Sequence, residues 1–259
     1  MNVEVAAPNV SSSLLQLEHL TYLDLSGNNF SASPIPMFIG SMGRLEYLSL
    51  SAARFTGRIP NSLGNLRNLY YLDLSFNHYF YDSLSLHTIV ERKLQMDDDI
   101  NWISKLHSLK HLDLSDIRLI ETHNLFQVLN TLPSLLHLSL HNCEIDNSLI
   151  PRYAFQNITS LVYLDLSSNE LNDPIPVAFR NLSSIKSLYL SFNNFTSIPS
   201  WFTDFEKLTL LALSYNGLHG PIPEVFRNMT SIESLDLSEN SLTSIPPWLA
   251  ELKRLVHLN

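Results

Sequence analysis

The sequence predicts an α/β solenoid, in which short repeats stack so that their strands form one parallel β-sheet and their return segments form the opposite side. Three observations predict this fold: a leucine-rich unit recurs along the chain, apolar residues alternate at the start of each unit, and Ile-Pro steps follow at a nearly constant phase. The chain has 259 residues, 45% of them hydrophobic, which is enough to bury a continuous core.

The repeat unit is marked by an apolar residue that begins each strand. Eight of the nine intervals between successive starts are 23 to 26 residues long, and one is 40. A period of this length indicates a domain of about nine stacked units at residues 14–259, preceded by an atypical segment at residues 1–13. The starts are Leu20, Leu45, Leu69, Leu109, Leu135, Leu161, Ile185, Leu208 and Ile232, with a truncated unit at Leu255.

Each unit opens with a short strand that ends at an asparagine. In residues 161–169, LVYLDLSSN, leucines alternate with outward residues, which is the period-two pattern of a strand with one buried face. An asparagine amide both donates and accepts hydrogen bonds, so its recurrence predicts a buried ladder that satisfies backbone groups of neighbouring turns. Cys143 occupies this position in one unit and is expected to be an inert buried thiol. The ladder positions are Asn28, Asn77, Asn169, Asn193, Asn216 and Asn240.

The return segment of each unit is marked by proline. Seven of the thirteen prolines follow isoleucine, and proline restricts both its own φ and the conformation of the residue before it. An irregular or 3₁₀ return is therefore expected rather than a long helix. No unit buries enough surface to fold alone, so stability must come from stacking. These prolines are Pro36, Pro60, Pro151, Pro176, Pro199, Pro223 and Pro246.

The long interval between Leu69 and Leu109 contains an insertion at about residues 78–105. Long loops in a compact array are usually functional or disordered. One interpretation is a ligand-contacting loop. The other, which we favour, is an elaboration of the convex side with Trp102 and Ile103 packed into the core.

The return segments resemble a known family. Residues 55–69, FTGRIPNSLGNLRNL, are similar to the plant-specific leucine-rich repeat consensus LxGxIPxxLxxLxxL, and residues 171–176 and 218–223 repeat its Ile-Pro part. Residues 13–30 resemble an early repeat of disease-resistance receptor-like proteins, and the resemblance covers about residues 14–259. It implies a leucine-rich repeat horseshoe, with the parallel sheet on the concave face and irregular, 3₁₀ or short helical segments on the convex side.

The same resemblance implies a cellular role. Such proteins are cell-surface receptors at the extracellular side of the plasma membrane, which bind a peptide, glycan or protein ligand and signal in immunity or development with a co-receptor kinase. Because the sequence contains no signal peptide, paired-cysteine caps, membrane span or kinase motifs, the chain is expected to be a receptor fragment. The alternatives are a soluble secreted inhibitor of a microbial wall-degrading enzyme and a non-functional gene fragment.

Charge and composition argue against several other functions. The net charge of −9, with only 16 lysines and arginines, disfavours nucleic acid as a partner. The sequence contains no GxSxG, HExxH, GxGxxG or GxxxxGK[ST] motif, and it has only seven glycines for phosphate-binding loops. We therefore expect no enzyme activity, no catalytic residues and no cofactor.

The outward strand positions are the candidate ligand-binding site. Tyrosine and histidine rings in one column lie beside carboxylates in the next, a surface suited to a ligand with cationic and apolar groups. The alternative, which we favour slightly, is that Tyr-Leu-Asp-Leu-Ser is merely the common filling of this repeat. The ring column is Tyr22, Tyr47, Tyr71, His111, His137 and Tyr163, and the carboxylates are Asp24, Asp73, Asp113 and Asp165.

A histidine cluster within this face raises the question of a metal site. His137 and His141 lie four residues apart on one strand, roughly 13 Å at about 3.3 Å per residue, which is too far for one ion. His111, His137 and Asp113 together supply too few ligands, so no metal is expected. Exposed imidazoles that gain charge in a mildly acidic extracellular space are the preferred interpretation, with binding tuned by pH.

Glycosylation sequons recur at two phases of the repeat, and Asn9 begins a further one. Three lie four residues before a repeat start and two lie nine residues after one. Glycans at these phases would leave the sheet face open, so secretory glycosylation is expected. The five candidate sites are Asn157, Asn181 and Asn228 at the first phase, and Asn29 and Asn194 at the second.

Overall fold

A parallel β-sheet of ten short strands runs the length of the molecule. The computed structural model describes residues 10–83, 88–119 and 121–259, so the predicted atypical segment lies mostly outside the described residues. Each strand begins two residues after a repeat start, as the apolar alternation predicts. The strands are Tyr22–Asp24, Tyr47–Ser49, Tyr71–Asp73, His111–Asp113, His137–Ser139, Tyr163–Asp165, Ser187–Tyr189, Leu210–Ala212, Ser234–Asp236 and His257–Leu258.

The strands pair in register with their sequence neighbours. Tyr22 pairs with Tyr47 and Leu23 with Leu48, and the same correspondence continues through every later pair. Residues of one repeat phase therefore form a straight column across the sheet, with neighbours about 4.8 Å apart. The leucine between the two outward columns is buried in the first nine strands, whereas Leu258 of the last strand is 39% exposed.

The return segments are short 3₁₀ helices joined by irregular chain. Six of these helices start directly after an Ile-Pro proline, whose φ between −54° and −76° suits helix entry. The predicted irregular or 3₁₀ return is confirmed, with one short α-helix at Leu125–Leu129. The 3₁₀ helices are Ser12–Gln16, Met37–Ser41, Asn61–Asn65, Ile103–Lys105, Asn147–Leu149, Val177–Asn181, Ser200–Asp204, Glu224–Asn228 and Pro247–Glu251.

The core lies between the sheet and the return segments. Leucines of the strands meet phenylalanines of the returns, and Phe155 packs between Phe126 and Phe179 at centroid distances of 5.2 and 5.8 Å. All three rings are at most 1% exposed. Because each repeat packs against the next in this way, the core is continuous rather than divided into separate clusters.

The predicted asparagine ladder is present. The Asn169 Oδ1 accepts hydrogen bonds from the amides of Cys143 at 3.1 Å and Ile145 at 2.9 Å, and its Nδ2 donates to the carbonyls of Leu140 and Leu166, both at 2.9 Å. Asn77 and Asn193 make equivalent bonds and are also buried. Asn28 is exposed because it follows Tyr22–Asp24, which is the first strand of the sheet among the described residues and has no strand before it there to cover this side chain.

The residue before each ladder position has a positive φ. This left-handed conformation is common for glycine but unfavourable for most side chains. The turn that follows each of the first nine strands of the ten-stranded sheet imposes it, whatever residue is present. The column consists of Gly27 (68°), Ala52 (50°), Phe76 (52°), Asp116 (67°), Asn142 (53°), Ser168 (56°), Phe192 (55°), Tyr215 (52°) and Glu239 (53°).

The insertion contains a β-hairpin. His78–Ser83 pairs antiparallel with Thr88–Gln95, while residues 84–87 and the side chains of residues 79–92 lie outside the described part of the chain. Leu94 returns to the core and is fully buried. The insertion therefore covers about residues 78–93 and is shorter than the predicted range of about 78–105. Trp102 and Ile103 are buried, at 4% and 0% exposure, as the favoured interpretation requires.

The hairpin does not lie on the convex side. It leaves the solenoid directly after the strand Tyr71–Asp73, at the carboxyl edge of the concave sheet. Its second strand pairs in parallel with the short strand Gly57–Arg58, and a similar two-stranded pair joins His219–Pro221 to Ser241–Ser244. The prediction that the insertion lies on the convex side is therefore wrong, because the extra residues are inserted before the return segment begins. Among the described residues, no helix is long and apolar enough to cross a bilayer.

Candidate functional site

The outward rings of the concave sheet form one continuous row of neighbouring side chains. We call Tyr22, Tyr47, Tyr71, His111, His137 and Tyr163 the aromatic ladder. The first four rings lie with successive centroids 4.1 Å apart and interplanar angles of 12°, 13° and 8°. In-register pairing places these side chains side by side, so the predicted ring column is brought together as a single surface. Tyr189 extends it, with its centroid 5.2 Å from that of Tyr163.

The stack changes geometry at the two histidines. The His111 and His137 rings meet edge to face, at 80° and 5.5 Å between centroids, with their Nδ1 atoms 3.4 Å apart. The His137 and Tyr163 rings are also edge to face. This change leaves a cavity of about 180 Å³, lined by His111, Asp113, His137, Ser139 and Tyr163. The aromatic ladder therefore combines a stack of parallel rings, from Tyr22 to His111, with a small polar recess.

Burial changes the titration of this recess. Desolvation lowers the pKa of His111 to about 4, and the charge of His137 acts in the same direction. Desolvation raises the pKa of Asp113 to about 6, against hydrogen bonds from Ser115 that lower it. It also raises the pKa values of the Tyr71 and Tyr163 phenols. At neutral pH the recess thus presents the neutral His111 imidazole and the neutral Tyr163 phenol beside the Asp113 carboxylate.

The carboxylates in the next column have a structural task that sequence reasoning missed. In each case Oδ1 accepts a hydrogen bond from the backbone amide of the serine two residues later, at 2.9 Å for Asp24, 3.0 Å for Asp73 and 2.8 Å for Asp113 and Asp165. These carboxylates cap the turn that ends each strand. The Asp-x-Ser spacing was the available signal for this role.

Exposure separates the candidate residues further. Tyr22 is 54% exposed and His137 is exposed, whereas Tyr47, Tyr71, His111 and Tyr163 are half-buried. Asp73 is only 9% exposed, so it offers little surface to a ligand. The rings, rather than the carboxylates, supply most of the accessible contact area.

Three exposed aromatic residues were not singled out by sequence reasoning. Phe76, Phe192 and Tyr215 occupy the positive-φ column and are 44%, 52% and 47% exposed. The Phe192 and Tyr215 rings are stacked at 4.1 Å and 8°, and the Phe76 ring lies 6.0 Å from that of His141. A bulky ring at the position where other repeats carry Gly27 or Ser168 was the detectable signal.

The remaining histidine does not join the recess. The His141 Nδ1 lies 2.9 Å from the Ser167 hydroxyl, one turn beyond the strand. Within residues 10–83, 88–119 and 121–259, no group of three or more histidine, cysteine, aspartate or glutamate side chains is arranged to hold a metal ion. Cys143 is fully buried, and burial raises the pKa of its thiol.

A buried carboxylate fixes the hairpin beside the recess. Asp116 is 6% exposed, and its two oxygens lie 2.8 Å from the His78 Nδ1 and 3.2 Å from the Lys93 Nζ. The Asn142 Nδ2 donates to the same carboxylate at 2.7 Å. Both ends of the hairpin are therefore tied to the turn that follows the strand His111–Asp113.

The sequons fall on two sides of the solenoid. Asn181 and Asn228 end 3₁₀ helices on the convex side, and Asn157 lies in a turn there, whereas Asn29 and Asn194 follow strands at the carboxyl edge. Four of these side chains are exposed, and Asn181 is half-buried with its amide donating to the Ala154 carbonyl at 2.9 Å. None of the five lies on the concave strands.

Comparison with known proteins agrees with this architecture. A family model described as "Leucine rich repeat" matches residues 18–78, 133–195 and 176–218, and a second matches residues 231–252. Receptor-like protein EIX1 of Solanum lycopersicum is 39% identical over 71% of this chain and 17% of its own length. Receptor-like protein 39 of Arabidopsis thaliana is 33% identical over 73% of this chain and 20% of its own length. The chain thus spans about a fifth of these curated relatives.

A solved structure shows the same solenoid. The ectodomain of the plant membrane receptor kinase GASSHO1/SCHENGEN3 from Arabidopsis thaliana, in complex with CASPARIAN STRIP INTEGRITY FACTOR 2, superposes with a TM-score of 0.73. It is 29% identical, and the match covers 93% of this chain and 27% of that one. The fold and these matches define a leucine-rich repeat protein. Within that class, the chain belongs to the plant leucine-rich repeat receptor-like protein family.

Proposed function

We propose that this chain recognises an extracellular ligand through the aromatic ladder of its concave face. The observation that supports this proposal best is the stack of four rings from Tyr22 to His111 on adjacent strands, next to a polar recess. Amphipathic rings supply large contact areas and lose little conformational entropy on binding. An open solenoid face suits an extended partner better than a small substrate, which supports recognition rather than catalysis.

The chemistry of the face indicates the kind of ligand. The rings from Tyr22 to His111 are stacked face to face, so they present their edges to apolar groups, and the net charge of −9 favours a basic partner. A peptide or the exposed segment of a protein provides both kinds of group, and a glycan is the other candidate. The hairpin tied to Asp116 stands beside the recess and is proposed as a second contact.

The wider setting is inferred from relatives. Because they are receptor-like proteins and membrane receptor ectodomains, we place this face on the extracellular side of the plasma membrane, in a glycosylated receptor for plant defence or development. The neighbour solved in complex with CASPARIAN STRIP INTEGRITY FACTOR 2 supports the proposal that this chain also binds a ligand. Signalling with a co-receptor kinase belongs to the same proposal.

The test uses a library of random phage-displayed peptides selected on the secreted chain. Peptides enriched on the wild type are expected to carry aromatic and basic residues, and to lose binding about tenfold or more when Tyr47 and Tyr71 are both changed to alanine. Tyr153→Ala is the matched control, since this tyrosine is 48% exposed in a return segment away from the sheet. Melting temperatures of all variants establish that they remain folded.

Two results of this selection would contradict the proposal. If enriched peptides bind the double variant as tightly as the wild type while Tyr153→Ala abolishes binding, recognition lies on the convex side. If peptides of every composition bind equally and weakly, the ladder is only the usual filling of the repeat.

A further inference from the structure

Phe192 and Tyr215 form an exposed aromatic pair outside the aromatic ladder, at the carboxyl edge of the concave sheet. Their rings are stacked at 4.1 Å with an interplanar angle of 8°, yet the residues are 52% and 47% exposed. Both have positive φ, at 55° and 52°, which is unusual for bulky side chains. Backbone preference and hydrophobic exposure both disfavour rings here, so the pair requires an explanation.

The chain beyond Phe192 carries a glycosylation sequon, Asn194-Phe195-Thr196. Burial alternates along it: Phe192, Asn194 and Thr196 are exposed, whereas Asn193 and Phe195 are buried. Residues two positions apart in a chain have Cα atoms at most about 7 Å apart. Because Phe192 and Asn194 are exposed while Asn193 between them is buried, the ring and the amide both face solvent, within the reach of a single sugar ring.

We propose that Phe192 is the packing platform for the first sugar of an N-linked glycan on Asn194. The C–H face of an N-acetylglucosamine packs on the open face of the Phe192 ring, while Tyr215 holds the opposite face. The neighbour on the open side is the small Ser168, which leaves room for the sugar. This platform stabilises the turn that follows the strand Ser187–Tyr189.

The modification itself needs the secretory pathway, so the inference rests on the extracellular setting of the proposed function. The Asn194 amide nitrogen exchanges one hydrogen for a bond to C1 of the sugar. The bond between C1 and the diphosphate of a lipid-linked oligosaccharide donor breaks, and the lipid diphosphate leaves with the proton. No oxidation or reduction is involved.

The other four candidate sequons of the chain can be compared with the Asn194 site. Asn29 lies at the same repeat phase as Asn194, but Gly27, with a φ of 68°, stands where Phe192 stands. The other three candidate sites also follow a phenylalanine by two residues, but those rings are at most 1% exposed and belong to the core. They are Asn157 after Phe155, Asn181 after Phe179, and Asn228 after Phe226.

The test is a double-variant cycle on the chain secreted from yeast behind an added leader, with glycans trimmed to one N-acetylglucosamine. Asn194→Gln is expected to lower the melting temperature by about 2–4 °C, as a single good contact does in a domain of this size. In the Phe192→Gly background, which reproduces the arrangement at Gly27, the same change is expected to shift it by less than about 1 °C. Asn29→Gln is the matched control, with an equally small effect.

Unglycosylated protein from bacteria completes the cycle. There Phe192→Gly is expected to leave the melting temperature unchanged or to raise it, because glycine relieves the positive φ. The inference is overturned if mass spectrometry finds Asn194 occupied but Asn194→Gln has equal effects in both backgrounds, or if Asn29 is occupied and Asn194 is not. Peptide selection on the same preparations reports separately on the concave face. If no sequon is occupied, this inference and the extracellular setting of the proposed function both fail.

Discussion

The ladder asparagines show how one buried side chain supports two repeats at once. Asn169 accepts from the amides of Cys143 and Ile145 in the preceding repeat while it donates to carbonyls of both repeats. No water reaches these amides to replace the bonds, since both residues are fully buried. An asparagine at this position therefore stabilises the fold more than the small apolar surface that it buries would indicate.

Replacing Asn169 with alanine is expected to lower the free energy of unfolding by about 2–4 kcal/mol, because two buried amides lose their acceptor. Denaturant unfolding measures this change. Asn28→Ala is the control: Asn28 is exposed and donates only within its own turn, so a change below about 1 kcal/mol is expected. Equal losses in the two variants would show that the ladder does not act between repeats.

The histidine recess makes stability depend on pH in two opposite ways. The folded pKa of His111 is about 4 against an ordinary 6.5, so the unfolded state binds more protons between these values and His111 makes stability rise with pH. The folded pKa of Asp113 is about 6 against 3.8, so Asp113 makes stability fall with rising pH across that window. The two contributions oppose each other near pH 5.

Unfolding curves between pH 4 and 6.5 separate the two groups. His111→Gln is expected to make the slope of stability against pH less positive than in the wild type, and Asp113→Asn is expected to make it more positive. A steeper rise in His111→Gln would mean that the folded state stabilises the imidazolium, contrary to the burial of this ring.

At the scale of single elements, the positions of the strands can be predicted from the sequence, whereas the placement of the hairpin cannot. Strand positions depend on local alternation around Leu164 and its equivalents, so the repeat phase alone predicts them. The side from which residues 78–93 leave the sheet depends instead on contacts of Asp116 with His78 and Lys93, which lie 38 and 23 residues away in sequence. Pairing over such distances leaves no periodic signal.

The hairpin anchor gives a prediction at this scale. Asp116→Asn removes the charge that pairs with His78 and Lys93, and is expected to cost about 1–2 kcal/mol, between the values for exposed and buried ion pairs. Hydrogen exchange in the strand Thr88–Gln95 is expected to accelerate while the concave strands stay protected. Asp97→Asn, which breaks a bridge to the largely exposed Arg58, is expected to change exchange far less. Unchanged exchange in Asp116→Asn would show that backbone pairing alone holds the hairpin.

At the scale of the candidate site, sequence placed the ring column correctly but not its geometry. Register alone brings Tyr22, Tyr47 and Tyr71 side by side. Whether neighbouring rings stack or meet edge to face depends on side-chain rotamers, and the switch at His111 and His137 creates the recess. The carboxylates were predicted as ligand contacts, whereas their hydrogen bonds to serine amides also make them turn caps.

For the whole molecule, the repeat architecture separates stability from recognition. Leucines, phenylalanines and asparagines of successive repeats form the continuous core and ladder, while the outward columns vary without disturbing them. A scaffold of this kind presents a long surface, and its exposed side chains determine which ligand that surface binds. The central claim is that the concave ladder, and not the convex returns, is the surface that binds.

Hydrogen exchange with and without a selected peptide tests that claim most directly. Binding is expected to slow exchange in and just after the strands Tyr71–Asp73, His111–Asp113 and His137–Ser139, and to leave the helices Val177–Asn181 and Glu224–Asn228 unchanged. The protection is expected to vanish in the variant with Tyr47 and Tyr71 changed to alanine. Protection confined to the 3₁₀ helices, with the three strands unaffected, would contradict the account.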